Sequence, residues 1–304
     1  MRVSVVPIEE GEKVVLRLLS ERARRFELED LGLEGQKLEI IRKSIKKTFG
    51  MILVSGPTGC GKTTTLYAIL KILNVREINI CTIEDPIEYD IEGISQIQVN
   101  PKTGLAFSKG LRAIIRQDPN IIMIGEIRDE ETASLAVNSA MTGHLVLSTF
   151  HATDAATSLT RFLDMKIEPF LLSTCLSLII SQRLVRKICP RCIESYEIPF
   201  SQLSQLLGQE LTSRFPKTKE NRVRLFRGKG CGLCQHTGYL GRTGIFEVLE
   251  IKESIKNLIM KKANALEILK EAHKFGMETM AEDGVLKIEK GITTLEEILR
   301  ATRE

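Results

Sequence analysis

The sequence predicts a layered α/β fold, a mostly parallel sheet with helices on both faces. Three observations predict it. From Met51 onward, strand-like and helical runs alternate as in consecutive βαβ units. Asn120-Ile-Ile-Met-Ile-Gly125 is apolar after its first residue, the pattern of a strand buried on both faces. Gly56-Pro-Thr-Gly-Cys-Gly-Lys62-Thr63 matches GxxxxGK[ST] and lies where that motif works, after a buried strand and at the start of a helix. The 304 residues are 43% hydrophobic and 27% charged, which excludes a predominantly disordered chain. Lys and Arg number 43 against 39 Asp and Glu, and the net +4 is too small and too evenly spread to argue for a nucleic-acid partner. No apolar run reaches the roughly 18 residues of a membrane span and no secretory segment follows Met1, so a cytoplasmic protein is expected.

The elements follow in order. Arg2 to Val6 and Val14 to Leu19 are strand-like runs joined by the polar turn Glu9-Glu-Gly-Glu12. A hairpin with no further strand to complete a sheet reads as the tail of a larger domain, so a truncated chain is expected. The charged stretch from Ser20 to Glu39, with Gly32 and Gly35, reads as a linker running into a helix that continues to Phe49 and is stopped by Gly50. Strands are expected at Met51 to Ser55, Ile78 to Ile83, Asn120 to Gly125 and His144 to Thr149, and helices at Lys62 to Leu73 and Gly110 to Gln117. Pro199 to Arg224 is polar, an irregular stretch or a short helical excursion. Gly238 to Glu247 reads as a turn followed by a strand. Ile251 to Phe275 and Gly291 to Arg303 are helical, the latter opened by Thr293-Thr294 with Glu296 and Glu297 in its first turn. These last helices alternate charged and apolar residues and read as an amphipathic packing layer.

The glycine-rich turn carries the first chemistry. Gly56, Pro57, Thr58, Gly59, Cys60, Gly61, Lys62, Thr63 and Thr64 are the candidate nucleotide-binding residues. Glycines let backbone N–H groups curl around an anion at a helix N-terminus, and Lys62 adds a full charge for the β and γ phosphates. The Thr63 hydroxyl then suits magnesium. Hydrolysis requires carboxylates nearby, and Glu84, Asp85 and Glu126 fall at the carboxyl ends of strands, the edge where open α/β sheets bind ligands. One acid has to hold magnesium while another orients the attacking water, and spacing alone assigns neither role. Glu88, Asp90 and Glu92 lie in a more polar stretch and read as solvated acids. His151, just past a strand end, is placed to sense the γ phosphate, whereas His144 reads equally well as structural.

Seven cysteines form an odd set, four of them in two CxxC pairs, Cys189/Cys192 and Cys231/Cys234. That arrangement suits tetrahedral zinc in a closed structural site. The 38 residues between the pairs exceed the usual spacing of roughly 15 to 20. A redox CxxC is the competing reading, disfavoured because two pairs coincide.

With these motifs in hand, the chain resembles the secretion ATPases that drive type II secretion and type IV pilus assembly, in their tetracysteine branch. The resemblance runs over nearly the whole chain: the N-terminal hairpin, the phosphate loop, Thr82-Ile-Glu-Asp-Pro-Ile-Glu88 as an acidic box, Leu111 to Pro119, Gly125-Glu-Ile-Arg-Asp129, Thr142 to Thr149 and the cysteine pairs. It implies a RecA-like P-loop core at 36–187 after a linker at 27–35. A remnant of an α+β domain at 1–26 precedes them, and a metal-binding subdomain at 188–248 and a helical subdomain at 249–304 follow. It also implies a homo-hexameric ring that hydrolyses ATP with Mg2+, carries Zn2+, and works at the cytoplasmic face of the inner membrane through platform and linker proteins docked by a larger N-terminal region. By carry-over Glu84 becomes the water-activating acid, Glu126 the Walker B acid and magnesium ligand with Thr63, and His151 the residue of the "His box". Arg2 and Arg17 match the arginines that the domain before the core donates to a nucleotide site. Cys60 stands where serine is common and is expected to make the loop oxidisable, and Phe150-His-Ala-Thr-Asp154 departs from the usual leucine-His-Thr-Asn-Asp. A retraction motor is disfavoured because that branch generally lacks the tetracysteine insert. Two other classes compete: a nucleic-acid-associated ATPase gripping its partner with a zinc ribbon, and a scaffold that binds ATP without useful turnover. Against the first, Trp is absent and the 11 Phe and 4 Tyr form no stacking array.

Overall fold

The computed structural model describes residues 2–17, 26–218 and 220–302, with the side chains of Arg2 and Arg17 outside the described set. At the N-terminus β1 (Arg2–Ile8) and β2 (Gly11–Arg17) pair antiparallel as a sheet of their own. The alternating core then runs α1 (Gly35–Ser44), β3 (Gly50–Ser55), α2 (Lys62–Leu73), β4 (Ile80–Glu84), β5 (Ser95–Gln98), α3 (Phe107–Ile114), β6 (Ile121–Ile124), α4 (Glu130–Met141), β7 (Leu145–Phe150), α5 (Ala155–Asp164), α6 (Pro169–Cys175) and β8 (Leu176–Ile188). Beyond it come β9 (Ile193–Pro199), α7 (Phe200–Leu207), α8 (Gln209–Thr212), β10 (Arg222–Gly228), β11 (Tyr239–Glu250), α9 (Glu253–Met260), α10 (Ala265–Lys274), α11 (Met280–Glu289) and α12 (Leu295–Thr302).

Seven strands form the central sheet in the order β11-β8-β3-β7-β6-β4-β5, parallel throughout except where β11 pairs antiparallel with β8. The continuous apolar runs are explained by the two-sided burial. Met51 and Leu53 of β3, with Ile122 and Ile124 of β6, join the core beneath α3 to α6, α9 and α10. Their neighbours Ile52, Val54, Ile121 and Met123 join the opposite core under α1 and α2. Successive strand residues point to opposite faces, so a strand covered on both sides must be apolar at every position. A third core gathers Val185 of β8 and Ile245 of β11 with Leu203, Val223, Leu225, Val285 and Ile298, around the β9/β10 hairpin and α11 and α12.

The structure departs from the sequence reading in several places. Within the expected linker at 27–35, Leu28 and Leu33 are wholly buried in the core that also holds α2, while most residues around them are exposed. Their burial was hidden because two isolated leucines in a charged stretch give no period. The helix expected to reach Phe49 ends at Ser44, and Gly50 opens β3 rather than closing a helix. Its φ of 122° and its N–H bond to the His144 carbonyl start the strand, and a Cβ there would meet Ser177 Oγ at 2.8 Å. Strand β11 belongs to the central sheet, although the sequence reading grouped its residues up to Val248 with the metal-binding stretch. Pro199 to Arg224 holds α7, α8 and the start of β10. Helix α11 was not read from the sequence, yet Thr279 and Glu282 form a reciprocal capping box at its start, a signal that was available. Among the described residues no helix is long and apolar enough to cross a membrane.

The packing of 26–35 has a measurable consequence. Leu33→Ala should cost about 2 to 5 kcal/mol, the range for a truncated core leucine, read from the urea midpoint at unchanged slope. A shift no larger than that of an exposed residue would return this stretch to the status of a linker.

Candidate functional site: a phosphate-loop cleft at the carboxyl edge of the sheet

The carboxyl ends of β3, β7, β6 and β4 lie side by side and together build one cleft of about 580 Å3. The phosphate loop supplies one wall. Gly56 adopts φ 145° and Gly61, which caps α2, adopts φ 92°. A Cβ at Gly56 would meet the Gln182 carbonyl at 2.5 Å, so only glycine lets β8 pass this close. Gln182 also locks the loop from behind, donating from Nε2 to the Cys60 carbonyl (2.7 Å) and accepting from Thr65 Oγ1 (2.7 Å). Thr58, Gly59, Gly61, Lys62, Thr63 and Thr64 face the cleft, whereas Gly56, Pro57 and Cys60 form the turn behind it. Cys60 is 2% exposed and burial pushes its thiol up, away from the reactive thiolate. The expectation of an oxidisable loop is therefore corrected.

Lys62 is buried, with Nζ donating to the carbonyls of Gly56 (2.9 Å) and Pro57 (3.1 Å). Burial pulls its ammonium below the usual range, and the charge of Glu126 opposes that pull. Glu126, just beyond β6, is the acid nearest this cation in electrostatic effect. One of its oxygens pairs with Arg128 and the other lies 3.3 Å from His151 Nε2. His151 is half exposed beyond β7, lines the cleft, and its carbonyl accepts from Arg161 Nη1 (2.5 Å).

Glu84, the last residue of β4, is 2% exposed at the cleft wall. Its carboxylate accepts from the Tyr67 hydroxyl, from Thr82 Oγ1 (2.5 Å) and from Gln96 Nε2 (3.1 Å). Asp85 and Glu88 also line the cleft, while Asp90 and Glu92 are exposed and do not. His144 lies away from it: its Nδ1 sits 2.9 Å from the Ser139 carbonyl and closes the end of α4. The backbones of Arg2 and Arg17 pair across the N-terminal hairpin, and their side chains lie outside the described residues. Sequence reasoning missed Tyr67 and Gln96, and also Leu184 and Arg242, which reach the cleft from β8 and β11. Nothing local in the sequence marks the last two, because non-local strand pairings deliver them, β8 on β3 and β11 on β8.

The four CxxC cysteines converge elsewhere. Cys189 and Cys192 lie on the turn between β8 and β9, and Cys231 and Cys234 on a short 3-10 turn before β11. Sulfur separations are 3.9 Å for Cys189–Cys231, 3.8 Å for Cys192–Cys234 and 3.7 Å for Cys231–Cys234. Four sulfurs at about 2.3 Å from a tetrahedral zinc stand roughly 3.8 Å apart, so this donor set fits zinc. Backbone N–H groups of Cys231 (3.1 Å) and Gly238 (3.3 Å) point at Cys234 Sγ, as expected around a thiolate ligand.

Set against known proteins, the model of the type II/IV secretion system protein family matches residues 1–300. The chain belongs to that family. It is 47% identical over its whole length to the type II secretion system protein E of Pseudomonas aeruginosa, covering 59% of that protein. It is likewise 47% identical to the type II secretion system ATPase E of Vibrio cholerae, covering 58% of it. To the type IV pilus assembly ATPase PilB of Pseudomonas aeruginosa it is 44% identical, again over the full chain and 52% of the relative. The chain thus spans between half and three-fifths of these relatives. The crystal structure of the pilus retraction motor PilT with bound ADP superimposes with a TM-score of 0.70 at 28% identity, covering 99% of this chain and 73% of PilT. The layered α/β architecture read from the sequence is the family's architecture.

Proposed function

We propose that this chain is the ATP-hydrolysing part of a homo-hexameric motor that powers type II secretion or type IV pilus assembly from the cytoplasmic face of the inner membrane. The observation that carries the proposal is the single cleft in which the phosphate-loop Lys62 faces Glu126 and Glu84 on neighbouring strand ends. Membership of the family and the ADP-bound PilT neighbour support ATP as the nucleotide. Relatives named for both machines match at similar identity, so the proposal embraces both.

In this reading the loop N–H groups and Lys62 hold the β and γ phosphates, and the N-terminus of α2 adds its dipole. Thr63 and Glu126 are the residues that would hold Mg2+. When bound, that ion neutralises charge developing on the transferred phosphoryl group. Glu84, fixed by neutral donors and with no cation within salt-bridge distance among the described residues, is the acid that orients the attacking water. His151 beside Glu126 reports on the γ phosphate, and Arg2 and Arg17 complete the site of a neighbouring subunit. The four cysteines hold a structural zinc.

The decisive measurement is steady-state phosphate release. Lys62→Ala should abolish nucleotide affinity or turnover. Glu84→Gln and Glu126→Gln should each cut turnover by roughly 10²-fold or more while leaving binding largely intact, the signature of lost transition-state electrostatics. Normal turnover in any one of them removes that residue's role.

Assembly has its own test: turnover per chain against protein concentration, with mass by light scattering on the same samples. The rate should climb steeply as hexamer forms, and a concentration-independent rate from a monomer would remove Arg2 and Arg17 from catalysis. Metal analysis should return about one zinc per chain, and chelation should lower the thermal midpoint. Metal-free protein with four titratable thiols would sink the zinc assignment.

A further inference from the structure

Glu84 is held in an unusual way for a buried acid. Three donors reach its carboxylate, the hydroxyls of Tyr67 and Thr82 and the amide of Gln96, and none of them is charged. An ionised carboxylate offers about four acceptor positions. Three are taken, which leaves one for a water in the cleft that Glu84 lines.

Both of the more distant donors are themselves fixed. Gln96 accepts from the Ile91 N–H at Oε1 (2.8 Å) and donates from Nε2 to the Tyr89 carbonyl (3.3 Å), so the amide orientation is determined and Nε2 must face Glu84. The Tyr67 hydroxyl accepts from the Glu88 N–H (3.4 Å), which directs its own proton to Glu84. Its ring is wholly buried and packs edge-on against Tyr89 at 4.8 Å between centroids. Burial and the adjacent carboxylate both push this hydroxyl up, so it remains a donor at any working pH. Tyr67 also lies on α2, the helix that Lys62 opens, so the helix that meets the phosphates holds the acid.

Resting on the reading of Glu84 as the water-orienting acid, we infer that Tyr67 and Gln96 are positioning residues for hydrolysis: they fix the rotation of the Glu84 carboxylate and leave one of its acceptor positions for the attacking water. Neither touches nucleotide in this role. Their effect is on kcat, not on affinity for ATP.

The test is phosphate release as a function of ATP concentration for the intact chain and the variants Tyr67→Phe, Gln96→Ala, Glu84→Gln and Tyr67→Phe/Glu84→Gln. Losing one hydrogen bond to a charged group should lower kcat roughly tenfold to a hundredfold in each single donor variant, with KM for ATP nearly unchanged. Because the donors act through Glu84, the double variant should turn over no more slowly than Glu84→Gln alone. A further loss in the double variant, or single variants with parental kcat, overturns the inference while Glu84→Gln stays slow. Normal turnover in Glu84→Gln is a different failure, that of the catalytic reading itself. If Tyr67→Phe folds poorly, Gln96→Ala, altered at a half-buried site outside the core clusters, carries the same comparison.

Discussion

The site depends on keeping one cation, Lys62, at the buried edge of the sheet. An ammonium withdrawn from water is costly unless it is hydrogen-bonded and its charge is opposed. Here two loop carbonyls accept from Nζ and Glu126 supplies the opposing charge. That requirement organises the neighbourhood. The loop has to bend tightly enough to bring its own carbonyls to Lys62, which needs glycine at Gly56 and Gly61. The acids have to lie on strands close to β3, and the order β3-β7-β6-β4 provides three such ends side by side.

A layer of polar contacts behind the loop ties it to the other end of the fold. Ser55, the last residue of β3, is bonded to Ser181 on β8 and lies 2.8 Å from the Oγ of Ser158 on α5, and Ser158 donates its hydroxyl proton to the Asp154 carbonyl (2.6 Å) just after His151. Glu247 on β11 accepts from the Ala155 N–H (2.9 Å) at the start of α5, and burial raises its carboxyl to about 7. Ser55, Ser158, Ser181 and Glu247 are all buried, so each demands a partner. The phosphate loop, the His151 turn and the last strand are thereby held in one register.

The cysteine cluster meets a different need. The β9/β10 sheet has only two strands, too few to be stable alone. It borrows apolar cover from α11 and α12, and a tetrahedral metal would clamp its two ends to the termini of β8 and β11. The same region illustrates how close approach selects glycine, since a Cβ at Gly228 would meet the Gly238 carbonyl at 2.1 Å.

Much of this was legible in the sequence because it is local. The run from Gly56 to Thr63, helix α2 from Lys62 to Leu73, the apolar strand ending before Glu126 and the CxxC spacing each carry their meaning within a dozen residues, where period, turn chemistry and ligand type suffice. What the tertiary structure alone decided involves partners far apart in the chain. Leu28 and Leu33 became core because α2 and the sheet lie over them. Gln182 became the loop's brace and Arg242 a cleft residue because β8 and β11 pair at the far side of β3. Glu84 could be recognised as an acid at a strand end, but two of its three neutral donors, Tyr67 and Gln96, came from α2 and β5, elements whose adjacency no single segment encodes. Local periodicity fixes which way a side chain faces along its own element, whereas strand order decides what it meets.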